Sequence, residues 1–78
     1  MKFRVYVSFK EGVLDPEAEA IKKTLDTLGF AEIRKLSRGK FFDIDIKDKC
    51  KNKEDIVKKI SDEVLSNPII ENFKIEKL

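Results

Sequence analysis

The chain of 78 residues contains no histidine and no tryptophan, and only one cysteine, two prolines and three glycines. Without histidine it lacks the commonest general base and metal ligand. One cysteine, Cys50, can form neither a disulfide framework nor a thiolate metal site. It also has no histidine partner to make it a catalytic thiol, so Cys50 reads as a spectator in a lysine-rich loop. Three scattered glycines leave no phosphate-cradling loop of the kind nucleotide-binding motifs require. No apolar run approaches the length of a membrane span, and the opening MKFRVYVSF carries alternating charge and no cleavage site, which predicts a cytoplasmic chain without a signal peptide. The absences argue against an enzyme that works alone.

Charge is abundant and balanced. Seventeen basic and 15 acidic residues are interspersed, for a net charge of +2, and 41% of the chain is hydrophobic. The densest basic cluster, KDKCKNK from Lys47 to Lys53, reads as a solvated loop. One small domain, residues 1–78, is expected. A chain this short buries a modest core and gains from association.

KFRVYVSFK alternates strictly. Phe3, Val5, Val7 and Phe9 share one face, and Arg4, Tyr6 and Ser8 share the other, which is the signature of a half-buried strand. GVLDPEAEAIKKTLDTLGF then specifies a helix with both ends written in. Asp15 is placed to cap it and Pro16 to begin it, Glu17 and Glu19 complement the helix dipole, and Gly29 terminates it with Phe30 packing back. Ala18, Ile21, Leu25 and Leu28 form its apolar stripe.

AEIRKLSRGKFFDIDI predicts two short strands, Glu32–Leu36 and Lys40–Ile46, joined at a bend where Gly39 takes positive φ. Phe42, Ile44 and Ile46 share the core face; Phe41, Asp43 and Asp45 share the other. Asn52 is placed to cap a second helix, with Asp55 in a capping-box position. Ile56, Val57, Ile60, Val64 and Leu65 form its apolar side, and SNP at Ser66–Pro68 ends it. A last strand carries Phe73 and Ile75 on one face.

The predicted order is β-α-β-β-α-β, an α+β two-layer sandwich of ferredoxin-like type with two helices on one face of an antiparallel sheet. The other sheet face, with Arg4, Tyr6, Phe41, Asp43 and Asp45, has no cover of its own and is a candidate contact surface. Asp43 and Asp45 read as groups that keep this face polar or pair with Arg4. An RNA-recognition module of this order would place stacking aromatics on its first and third strands. Tyr6 fits the first position, but Lys40 stands where the next aromatic belongs and Asp43 and Asp45 repel phosphate.

VYVSFKEGVLDPEAEAIKKTLDTLGF, SRGKFFDIDI and EVLSNPIIENFKIEKL together resemble, in order and at full length, the PurS family, the small subunit of phosphoribosylformylglycinamidine (FGAM) synthase. One departure is Ala18, where the family often has glycine. The resemblance implies an accessory subunit of an ATP- and glutamine-dependent C–N ligase of purine biosynthesis, with no activity in the isolated chain. It implies two partners, a PurL-like synthetase that uses ATP and Mg and a PurQ-like glutaminase, bridged for ammonia transfer. It also implies a homodimer or tetramer of the free chain, and neither nucleic acid nor membrane as partner. No cofactor, metal or catalytic residue is expected in this chain. Asp15, Arg38, Lys40, Tyr6 and Phe41 are the candidate partner contacts, with Arg38 and Lys40 expected at the tip between the two strands. The alternative is a stand-alone module of the same fold that binds RNA or a small regulatory ligand.

Overall fold

The computed structural model describes residues 1–78. The elements run β1 (Lys2–Phe9), α1 (Pro16–Thr27), β2 (Gly39–Asp45), α2 (Lys53–Ile60) and β3 (Glu71–Lys77). β1 lies in the middle of an antiparallel sheet of order β2-β1-β3. Its register sets Tyr6 opposite Phe41 and Lys74, and Arg4 opposite Asp43 and Glu76. This is the expected α+β, ferredoxin-like class with one strand fewer.

The alternation in β1 fixes the core. Phe3, Val5 and Val7 are fully buried and pack with Val57 of α2, while Phe42, Ile44, Ile46, Phe73 and Ile75 line the same face half-buried. Full burial of each such side chain stabilises by roughly 1.5–3 kcal/mol. Of the predicted apolar side of the second helix, Val57 reaches the core and Ile60 and Leu65 are half-buried, whereas Ile56 and Val64 face solvent. The helix ends in a π-helical turn, Ser61–Leu65, closed by Ser66 N–H to Ser61 O at 3.1 Å and by Ser66 Oγ to the same oxygen at 2.7 Å. The wider turn rotates Val64 out of the stripe that a period of 3.6 predicts. Asn52 is at the predicted cap position but is left-handed, with φ 57°, and its side chain makes no capping bond.

The helix α1 holds the ends that the sequence specifies. Asp15 Oδ1 accepts from the N–H groups of Glu17 and Ala18 at 3.1 and 3.3 Å, and Gly29 has φ 96°. Its position differs from the expectation. No residue of α1 joins the core cluster; Ala18 alone on this helix is buried, and Ile21, Leu28 and, beyond the helix end, Phe30 remain largely exposed. Phe30 therefore does not pack back, although its N–H closes on Leu25 O at 3.0 Å.

The predicted strand Glu32–Leu36 is also not formed: residues 33–38 carry neither helix nor strand. The reason lies at the predicted bend. Gly39 does not take positive φ but enters β2 as an ordinary strand residue. Its missing side chain serves close approach instead, because a Cβ there would lie 2.7 Å from the carbonyl oxygen of Val7. Without a left-handed residue the chain does not fold back into a hairpin. The molecule is long as a result, 53 × 25 × 14 Å, with a radius of gyration of 16.2 Å where a compact chain of this length would have about 11.5 Å.

Candidate functional site

Two groups of the candidate contacts come together, and one residue stands apart. On the outward sheet face Arg4 reaches across to Asp43, Nε to Oδ1 at 2.8 Å and Nη2 to Oδ2 at 3.2 Å. The same guanidinium lies over the Phe41 ring, 4.4 Å from its centroid. Tyr6 and Phe41 are tilted neighbours at 6.2 Å, and Tyr6 donates its hydroxyl to Glu76 Oε2 at 3.2 Å. Hydrogen bonding to the carboxylate raises the Arg4 pKa above its ordinary value, and the same bond holds Asp43 below the usual carboxylate range. The result is an exposed patch with an aromatic and arginine centre, in which Arg4 and Asp43 form an ion pair. Tyr and Arg are the residue types that dominate protein-contact energetics. Glu76 was missed by the sequence reading; once β1 and β3 are registered, its place opposite Arg4 follows.

The second group sits at the base of α1. Arg38 Nε lies 3.3 Å from Asp15 Oδ1 and 3.0 Å from Oδ2, and its Nη2 is 3.1 Å from Glu17 Oε2. Asp15 is nearly covered by this clasp, with 11% of its side chain accessible. One carboxylate thus caps the helix and anchors residue 38 to the helix start. The helix and residues 34–38 face each other across an open groove lined on one side by Ala18 and Lys22 and on the other by Arg34 and Leu36. They form a single arm.

Lys40 is not at a tip, as expected, but inside β2 opposite Val7. Its Nζ lies 4.0 Å from Glu71 and 5.8 Å from the centre of the Phe42 ring, on the sheet face opposite to Tyr6. Asp45 and Asp48 approach the terminal ammonium of Met1 at 3.6 and 3.2 Å, and the hydrogen bond lowers the Asp48 pKa. No three of the histidine, cysteine, aspartate and glutamate side chains gather where they could share a metal ion. No helix is long and apolar enough to cross a membrane. Cys50 is exposed.

The geometry defines a small α+β chain of ferredoxin-like order with two candidate contact surfaces, an aromatic sheet face and a clasped arm. A family model described as "PurS: Phosphoribosylformylglycinamidine (FGAM) synthase" matches residues 2–78. The chain belongs to the PurS family. It is 40% identical over 72 residues to the FGAM synthase subunit PurS of Archaeoglobus fulgidus, covering 91% of this chain and 90% of that one. Against the PurS subunit of Bacillus subtilis the identity is 32% over 75 residues, with 96% and 89% covered. The solved structure of B. subtilis PurS superposes with a TM-score of 0.87 at 32% identity, over 96% of this chain and 94% of that chain. A chain of the PurLQS structure from Thermotoga maritima superposes at 0.83 and 32% identity, over 99% and 95%. The shape described above is therefore shared along essentially the whole chain.

Proposed function

We propose that this chain is the small, non-catalytic subunit of an FGAM synthase, and that it bridges a PurL-like synthetase and a PurQ-like glutaminase so that ammonia passes between them. The observation that carries the reading is the match over nearly the full length of both chains to a subunit of the T. maritima PurLQS structure. ATP and Mg act on the synthetase subunit, and the complex works in the cytoplasm as a step of purine biosynthesis. This chain contributes shape rather than chemistry. It acts as a homodimer, or a tetramer when free, in which each copy offers the same surfaces.

Two features support the contact assignments. Tyr6 and Phe41, with Arg4 over the Phe41 ring and paired with Asp43, form a patch that a partner can cover while Arg4 keeps its counter-ion. The Asp15–Arg38 clasp fixes the arm's direction, so a partner that grips it meets one preset geometry. Lys40, on the opposite face, is a third contact. The test is glutamine-dependent amidine formation by matched PurL- and PurQ-like subunits, with and without this chain, with size-exclusion chromatography of the mixture. Turnover and a ternary complex that both require the chain are expected. Turnover and assembly indifferent to it would end the reading. Pull-down with Asp15→Ala and Arg38→Glu addresses the contacts: unaltered binding by both removes the arm from the interface.

A further inference from the structure

We propose that Tyr6 and Glu76 form a seat for an arginine side chain of a partner subunit other than a second copy. The inference rests on the reading of the outward sheet face as a partner contact and names the chemical group that the partner brings.

The same face already holds one such seat, and it is filled. Arg4 lays its guanidinium over the Phe41 ring, 4.4 Å from the centroid, and bonds Asp43 through Nε at 2.8 Å and Nη2 at 3.2 Å. Ring and carboxylate are two residues apart on β2, so both project from one face of the sheet. A guanidinium suits the pair because it is flat. It stacks on the ring and keeps its N–H groups in plane for the carboxylate.

On the β3 side of Arg4 the same parts recur without the cation. The register sets Arg4 opposite both Asp43 and Glu76. Two carboxylates therefore flank one guanidinium, and Asp43 takes it. Glu76 is exposed and joins no ion pair of the chain. It accepts the Tyr6 hydroxyl on Oε2 at 3.2 Å, a bond that ties ring to carboxylate and leaves Oε1 open. Tyr6 is 38% exposed, and the two cations that lie over rings use Phe41 and Phe42 instead. Lys74 stands opposite Tyr6 and two residues from Glu76, yet it engages neither. A partner that covers this patch strips water from Glu76, which is costly unless the partner supplies a positive group. The exposed ring beside the carboxylate selects arginine for that group. Of the chain's three arginines, Arg4 is held by Asp43 and Arg38 by Asp15 and Glu17. A second copy thus offers only Arg34, which lies on the arm, so the arginine comes from a different subunit.

The test measures binding of the intact chain to matched synthetase and glutaminase subunits by interferometry over a range of salt. Glu76→Gln should weaken the affinity for one of them about tenfold and make its salt dependence shallower. Tyr6→Leu should cost about as much, and Tyr6→Phe, which keeps the ring, less. Glu54→Gln, an exposed acid on α2, should change neither affinity nor salt dependence. Phenylglyoxal identifies the group: the wild-type chain should shield one arginine of the partner from modification, as read by mass spectrometry, and Glu76→Gln should leave it reactive. Far-UV circular dichroism checks that the variants keep the sheet, whose core lies on the other face. Equal affinity and salt dependence for wild type and Glu76→Gln overturn the seat, and so does a partner with no shielded arginine. A change in self-association that follows Glu76, seen by sedimentation equilibrium of the chain alone, overturns it too. Amidine formation is measured on the same preparations. Turnover that requires the chain but is indifferent to Glu76→Gln and Tyr6→Leu removes the seat and leaves the subunit reading intact; a wild-type chain that binds neither subunit and supports no turnover removes both.

Discussion

Replacing Asp15 by alanine should loosen α1 selectively. The carboxylate does three things at once. It accepts two N–H groups of the first turn, a capping contribution of about 1 kcal/mol. It sits at the positive end of the helix dipole, which adds roughly 0.3–1 kcal/mol. It also pairs with Arg38, a partly exposed ion pair contributing about 0.2–1 kcal/mol. Together these amount to about 2 kcal/mol, or about a thirtyfold change in an opening equilibrium. Because α1 is outside the core cluster, the loss should appear as faster amide exchange across Ala20–Asp26 and not as a matching fall in the stability of β1. Asp15→Asn retains an N-cap acceptor but gives up the charge, so it should fall between wild type and alanine. Equal exchange in all three proteins, or a change confined to β1, would refute the assignment of the cap and clasp to Asp15.

Gly39→Ala should destabilise the sheet by about 1–3 kcal/mol in urea unfolding, because the new methyl meets a backbone oxygen that cannot step aside. Phe3→Ala should cost about 3–5 kcal/mol, enough to leave a chain of this size partly unfolded at room temperature, as read by circular dichroism; Phe3 is 1% exposed at the centre of the core. The depressed pKa of Asp43 makes a stabilising contribution that is fully present above the ordinary carboxylate value of 3.8 and is lost as pH falls through the lower folded value. Asp43→Asn should therefore flatten the acid limb of the stability–pH curve below that value, while leaving its shape near neutrality unchanged.

The three strands that form and both helices were legible because their signals are local. β1 announces itself by period two, and α1 by Asp15, Pro16 and Gly29. The core face of β2 followed from the parity of Phe42, Ile44 and Ile46. The strand over Glu32–Leu36 was misread for a physical reason. A strand is a pairing and not a conformation, and the bend at Gly39 that would have returned the segment to its own sheet does not form. Nor does the stripe on α1 reveal which surface it meets; Ile21 and Leu28 are apolar wherever they are buried. Among the candidate contacts, Tyr6 and Phe41 could be matched from alternation alone. The link between Arg38 and Asp15 joins residues on different segments and could not be seen without the fold. Lys40 was misplaced because its position depended on the same absent bend.

The central position of β1 has a consequence for how the chain comes to be folded. β1 is made before the two strands that pair with it, and one of them, β3, follows only after both helices: Phe3 faces Lys77. Contacts of that span close a long loop before any bond rewards it, which places the rate-limiting step late. β1 and β2 can pair first, but one side of β1 stays bare until β3 joins. A chain at that stage holds an apolar strand with one open edge, and its protection from aggregation depends on how quickly β3 joins.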